Sequence, residues 1–470
     1  MPFSNAPRRL LRGTLLAASA SIALPVLAFA ADVPATPEGA KKLSAVLEKY
    51  VGKPAAGAAP GITVTADGGS YVVGFDIAAL SAPLKPYGMY FDPAVFKFIL
   101  TEQSDGLWRY VHDNYPTTVM HNTHDGKDSV RTTSYQDYKG EGVFDAAAGM
   151  MTSMKATNTR ATSHQTGPGL EFSSDLGPMI MNGAGSSSGD GAASMKGHVD
   201  ITSATGAVSV DPGAMKPKAV ADPPTPSTPI NVKFSSGKIG GDVVIDGLKP
   251  HPILDLWAFA VAHPSRAELA ANEAAFKALL RAALPGSYKL SESFNVQAIT
   301  VEAPQGLFKA SSSDDSFGTE GAGAMHSLQT HIGLDGLSFP PGLIPPAFVA
   351  LTPTKVDVGV RFGGYDLNSG VNAAIDEMRL AGEDSIFAKD AAPRIAAKFK
   401  GAGPLVVEIS PSHIVAPQFD LAFEGKITYD GAKPVGTVTV HAKNFDKTVA
   451  ALKAQGPRAS PQMLGGLTMA

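Results

Sequence analysis

The most regular pattern in the chain is an alternating apolar run ended by an aromatic residue and an aspartate, with a short helical stretch behind it. It is clearest at Val438-Thr439-Val440-His441-Ala442-Lys443-Asn444-Phe445-Asp446, followed by residues 447–452. Eighty residues earlier the same unit occurs as Val358-Gly359-Val360-Arg361-Phe362-Gly363-Gly364-Tyr365-Asp366, leading into residues 371–375. Valines two apart mark one face of a β-strand, because successive side chains of a strand point to opposite faces. The aspartate after the aromatic residue suits a helix N-terminus, where its carboxylate accepts from free backbone N–H groups. Asp366 and Asp446 therefore read as fold determinants and not as catalytic acids.

Similar signals fill the rest of the chain. Thr36-Pro37-Glu38 predicts an N-cap, a first-turn proline and a first-turn acid, with a helix that ends at Gly52. Asp67-Gly68-Gly69 predicts a hairpin between Ile62-Thr63-Val64-Thr65 and a strand closed by Phe75-Asp76. From Phe91 to about Val210 the chain reads as a procession of Thr-, Ser-, Tyr- and Val-rich strands with turns every ~8–12 residues, an antiparallel meander solvated on one side. Gly183 to Gly191 is a flexible loop by composition. One region is strongly helical: Pro252 to Ala262 is apolar nearly all round, and Ser265-Arg266-Ala267-Glu268 is a capping box ahead of an amphipathic stripe. Residues 252–284 are predicted to form a helical hairpin against the sheet.

Targeting comes first among the features that composition and charge add. Arg8, Arg9 and Arg12 precede an apolar stretch from Gly13 to Leu27, and Ala28-Phe29-Ala30 has the form of a cleavage site. Residues 1–30 are thus expected to be a signal peptide, with export to the periplasm or beyond. Removing the three arginines takes the net charge from −4 to −7, and the charges are scattered. With no basic stripe, nucleic acid is not an expected partner. The chain has no cysteine, which rules out thiol chemistry and disulfides. Four prolines within residues 219–229 mark the best boundary, between a helix-and-meander region at 31–218 and a C-terminal region at 230–456. Residues 457–470 read as a loose tail.

Candidate chemistry is sparse. Gly185-Ser186-Ser187-Ser188-Gly189 fits the G-x-S-x-G elbow of Ser hydrolases, with Ser187 as nucleophile, yet the helix that should follow is missing. His121, His124 and Asp125 are close in sequence, but residues three apart on a strand face opposite ways, and His326 with His331 fails the same test. No catalytic residue, metal site or cofactor is predicted. The apolar helix carrying Leu256, Trp257 and Phe259 supplies the candidate ligand contacts, through lipid or a membrane surface.

With the strand-into-helix unit in view, the chain resembles exported alphaproteobacterial proteins classed under domains of unknown function. It is more distantly similar to AsmA-like and YdgA-like envelope proteins. The resemblance is carried by Asp335-Gly336-Leu337-Ser338-Phe339-Pro340, by Val356 to Leu367 and by Gly436 to Leu452. It implies a long curved antiparallel sheet and a place at the cell envelope, with lipid handling as the associated role, and it transfers no catalytic residue. The expected fold is mainly β (a β-rich α+β chain): a long curved antiparallel meander sheet with a few packed short helices. The expected function is non-enzymatic, binding lipid or serving a structural role; a Ser hydrolase or a protein-assembly module are the alternatives.

Overall fold

The computed structural model describes residues 31–450, apart from 54–58, 125–126, 189–190, 214–227, 285–286, 323–324, 382–385, 401–402, 432, 445 and 448–449. The expected signal peptide, residues 219–227 of the proline-rich boundary and the tail at 457–470 lie outside the described residues. So does most of the helix expected after Asp446.

Strands dominate, and all their pairings are antiparallel. The hairpin of β1 (Ile62–Asp67) and β2 (Ser70–Asp76) is followed by the short β3 (Met89–Phe91). A run of hairpins comes next: β4 (Val95–Glu102) with β5 (Leu107–His112), β6 (Thr118–His124) with β7 (Lys127–Gln136), and β8 (Lys139–Asp145) with β9 (Met150–Asn158). It continues with β10 (Arg160–Gly167) and β11 (Leu170–Leu176), β12 (Met179–Ser187) and β13 (Ala193–Ile201), and β14 (Ala204–Val210) and β15 (Ile230–Ser236). Then β16 (Ile239–Leu248) and β17 (Lys289–Ala303) lead into β18 (Gly306–Ala322), β19 (Met325–Asp335), β20 (Lys355–Tyr365), β21 (Leu405–Val415), β22 (Asp420–Tyr429) and β23 (Pro434–Lys443).

The hairpins up to β15 do not form one meander. They alternate between two sheets. The first sheet takes β4–β5, β8–β9 and β12–β13, and the second takes β6–β7, β10–β11 and β14–β15. Within the first sheet β5 pairs β8, β9 lies against β12 and β13 pairs β16; within the second, β7 pairs β10 and β11 pairs β14. Five of the crossings are very short: Asp137-Tyr138, Thr159, Gly177-Pro178, Thr202-Ser203 and Gly237-Lys238. They line up as a spine, and two of them hydrogen-bond to each other, with Thr202 N donating to Pro178 O at 3.1 Å and Gly177 N to Ser203 O at 2.9 Å. The link at Asp137 needs a left-handed backbone (φ 49), a conformation that an Asp tolerates better than most residues.

At β17 the two sheets merge. Its first half pairs β16, whereas Thr300 to Glu302 pair Ser235 to Lys233 of β15. Between the halves Ala298 has a left-handed backbone (φ 51), while the register with β18 runs on unchanged, Gln297 opposing Ser312 and Ile299 opposing Ala310. Beyond β17 the first sheet runs on alone through β23, as the expected meander. No described pairing returns β23 to β1 or β3, so the assembly stays open.

The core lies beside the spine. Ala156, Met179, Met181, Val199 and Ile201 are buried and pack with Tyr135, Tyr138, Leu176 and Ile239. These residues define an inner face on each sheet. Away from the spine the faces diverge: on neighbouring strands of the second sheet Ala204 is buried at the spine end, whereas Ile230 is 44% exposed at the other. A line of helices follows the strand ends opposite the spine: α1 (Pro37–Val51), α3 (Pro250–Ala262), α5 (Glu273–Ala283), α6 (Leu367–Glu377) and α7 (Ala391–Lys400), each touching the next. The short α2 (Ile77–Ser81) and α4 (Arg266–Ala271) fill gaps.

Local signals hold where expected. Thr36 caps α1, Gly52 ends it at φ 85, and both halves of the Ser265–Glu268 box form. Asp76 and Asp366 of the aromatic-Asp step are N-caps: Asp76 accepts from Ala78 N, and Asp366 accepts from Ser369 N at 2.8 Å. Gly183 to Ser187 differ from expectation, because they belong to β12 and not to a loop. Their small side chains fit a crowded strand, where a Cβ on Gly185 would stand 2.3 Å from Met151 O.

Replacing Asp366 with Ala is expected to cost about 1 kcal/mol of unfolding free energy, the usual worth of such a cap. Hydrogen bonds from Ser369 hold its carboxyl below the usual carboxylate range. The contribution is therefore present above the ordinary Asp value and lost as pH falls through the lowered one. Denaturation midpoints at neutral and strongly acidic pH check both statements; an equal effect of Asp366→Ala at both would contradict the second.

Candidate functional site

Register across β19 to β23 assembles an apolar surface. Leu328, Phe362, Val407 and Ile427 stand opposite one another in one row across the sheet. A second row holds Val360, Ile409, Gly425 and Val438, and a third pairs Ile332 with Val358 and Phe423 with Val440. Leu334, Val356, Ile414, Leu421 and Ala442 form the fourth. Every one of these positions continues the inner face that β13, β16 and β17 turn toward the core. The second sheet stops at β15, so here the face stays accessible: Phe362 is 44% exposed and Val440 59%. Isolated exposed apolar side chains are ordinary, but a contiguous field of them marks an interaction surface.

The opposite face of the same strands is polar and charge-paired. Arg361 lies 3.8 Å from Glu408, His331 Nε2 2.8 Å from Asp357, and Lys443 Nζ 3.2 Å from Asp420. This contrast is the alternation of the sequence made physical: valines at even positions of β20 and β23 face inward, polar residues at odd positions outward. Thr330, opposite Val360, and Ser412, opposite Phe423, interrupt the inner face, and so does a histidine. His326, at the helix end of β19, is 3% exposed, and its Nδ1 lacks a hydrogen-bond partner. Burial lowers its pKa, so the ring is neutral at pH 7.

On the outer face a second feature gathers across β13, β16, β17 and β18. His198 Nδ1 is 2.8 Å from Asp242 and its Nε2 is 3.0 Å from Asp200, which Lys238 also meets at 2.8 Å. Together with Asn295 and Asp314 these residues line an open depression of about 450 Å³. Both imidazole nitrogens are engaged by carboxylates, which raise the His198 pKa. With a carboxylate on each ring nitrogen and Lys238 on Asp200, the arrangement is a charge network that favours the protonated imidazole.

The residues singled out from sequence are dispersed. Trp257 is 58% exposed on α3, its Nε1–H donating to Tyr50 O at 2.7 Å. Phe259 turns the other way, stacking on His263 and on Phe276 of α5, and Leu256 is half-buried. The three therefore do not form one contact surface. Ser187 is the last residue of β12, exposed and paired with Ala193, with no strand-to-helix elbow around it. His121 lies on the outer face of the second sheet, stacked on Tyr90 and flanked by Asp92 and Asp128. Asp125 lies outside the described residues. His326 and His331 face opposite sides of β19 as the spacing required. Among the described residues no three His, Asp or Glu side chains are grouped to hold a metal, and no helix is long and apolar enough to cross a membrane.

An aromatic cluster closes the inner face beside the spine. His112, 3% exposed, sits among Phe98, Tyr115 and Tyr138, with its Nε2 2.6 Å from Asn114 O. Burial lowers the His112 pKa and pushes the phenols of Tyr115 and Tyr138 up to about 12. These groups stay neutral through the physiological range and serve the core.

The histidines should separate in an NMR titration. His198 is expected to titrate above the ordinary His value, and His112 and His326 below it. Linkage gives opposite signs. The His198 contribution is full below the ordinary value and lost as pH rises through its raised pKa. Stability is lost through His112 and His326 as pH falls below the ordinary value, because the unfolded chain then binds protons that the fold refuses. Asp242→Asn should lower the His198 pKa and leave His112 unchanged; an unmoved His198 resonance would refute the pairing.

Comparison of the chain with protein-family models, with curated proteins and with solved structures finds no match. Any functional reading accordingly rests on the residues themselves.

Proposed function

We propose that this is a non-enzymatic cell-envelope protein that binds lipid, or another elongated apolar ligand, along the inner face of β19 to β23. The observation that carries the reading is the four-row apolar surface on one side of a sheet whose other side is a solvated charge network. A long acyl chain has the right shape for such a face, since it can lie across several rows. Each methylene removed from water is worth about 0.8 kcal/mol, so a chain of ordinary length gains several kcal/mol before ordering costs. Trp257, exposed on the helical row, is the side chain best suited to touch a membrane surface, because its indole combines an apolar body with a polar tip. Export to the periplasm or beyond is part of the proposal and is supported by the composition of residues 1–30.

Organic extracts of the purified protein, examined by mass spectrometry, should contain co-purified lipid. Phe362→Ala should weaken binding of a fluorescent fatty acid by about tenfold, the equivalent of ~1.4 kcal/mol of lost contact. Phe362→Asp should abolish binding while the far-ultraviolet circular dichroism is retained. A protein that emerges lipid-free and also ignores both the probe and liposomes would sink the reading and leave a structural part.

A further inference from the structure

We infer that β23 is a self-association edge, through which a second copy of this chain adds its own β23 in antiparallel pairing. The strand is ten residues long, and among the described residues it pairs only with β22. Among the described residues, one whole side of its backbone N–H and C=O groups therefore has no partner strand. Long regular edges of this kind are normally blunted by lysines, prolines, bulges or a covering element. Here Pro434 and Lys443 stand only at the two ends. Between them Val435, Gly436, Thr437, Val438, Thr439, Val440, His441 and Ala442 include no Lys, Arg, Asp or Glu, and the register with β22 runs without a bulge. Val435 is 70% exposed and Val440 59%. The other two free edges differ: β3 has three residues, and β1 has six and is packed against α1.

Three properties of the strand favour a second copy over an unrelated segment. Two identical strands pair antiparallel about a two-fold axis perpendicular to the sheet, and that axis keeps the same face of both sheets on the same side. The apolar inner faces of two copies would thus join into one surface, twice as long, with the polar faces joined behind it. The pattern is also self-complementary. With Thr439 opposite Thr439, Val438 meets Val440 of the second copy on the inner face, and Lys443 meets Val435 on the outer one. No like charges are opposed, and the cross-strand pairs are of a type that stabilises sheets. Finally, this register lets nearly the whole strand pair, giving about nine main-chain hydrogen bonds. The pairing stands independently of whether the joined face holds lipid.

The test is the oligomeric state of the full chain, stripped of lipid, by light scattering coupled to size exclusion. A dimer that dissociates on dilution is expected; a chain that stays monomeric at every concentration overturns the proposal. Thr439 is exposed on the polar face, so Thr439→Lys and Thr439→Glu should each fold, as circular dichroism will check. Each should be monomeric, because like charges then face each other across the axis. Their equimolar mixture should recover the dimer mass. A Thr439→Lys protein that still dimerises, or a mixture that stays monomeric, places the contact elsewhere and also overturns it.

Discussion

The single-residue and two-residue corners between the sheets are the constraint on which the rest depends. A link such as Thr159 cannot let β9 and β10 lie side by side in one sheet while each pairs with a different neighbour. The chain can only bend there and continue in a second layer. Repeated five times, the bend pins the two sheets along one line and leaves them free to diverge elsewhere. Burial follows from that geometry, with a dry core beside the spine and progressively wetter inner faces away from it. The two-layer part ends at β17, which pairs β16 along its first half and β15 near its end, and every strand after it is single-layered.

This also explains what could be read from the residues and what could not. Asp67-Gly68-Gly69, the Thr36 cap and the Ser265–Glu268 box act within a few positions of themselves, and each is present as expected. Gly177-Pro178 and Thr202-Ser203 likewise announce that the chain turns. They do not say which strand the next segment will pair with, because that choice is made by strands twenty or more residues away. An even meander was therefore the natural expectation for residues 91–210, and the two-sheet weave was not legible. Gly183 to Ser187 misled for a related reason. Composition favoured a loop, but the crowding of Met151 against Gly185, which makes small residues necessary in that strand, comes from a different hairpin.

The candidate site was half legible. Even-numbered valines in β20 and β23 were visible as one face of a strand, and the copies occur in the same phase: Val358 with Val438 and Val360 with Val440 all turn inward. What could not be seen is that β19, β21 and β22 present their own apolar faces in register with them, and that nothing in the second sheet reaches this far. Leu256, Trp257 and Phe259 drew notice because helix α3 is apolar all round. Its neighbours on both sides are helices, so such a composition serves two packing faces at once, toward Tyr50 and toward Phe276.

The repeat carries one further consequence. In its first copy the strand is interior, flanked by β19 and β21, and Asp366 turns the chain into α6. In its second copy a strand of the same phase has, among the described residues, a neighbour on one side only. A sheet extended by adding such units keeps its apolar face continuous at each addition, because the two-residue period holds the phase across hairpins. The face thus does not taper toward the edge: Val438 and Val440 are as apolar as Val358 and Val360, although they stand where the sheet ends. A surface that served only to stabilise this chain would have lost its apolar residues there, where they bury least. On the proposed reading, their persistence to the last described strand opens the whole width of the sheet to an apolar ligand.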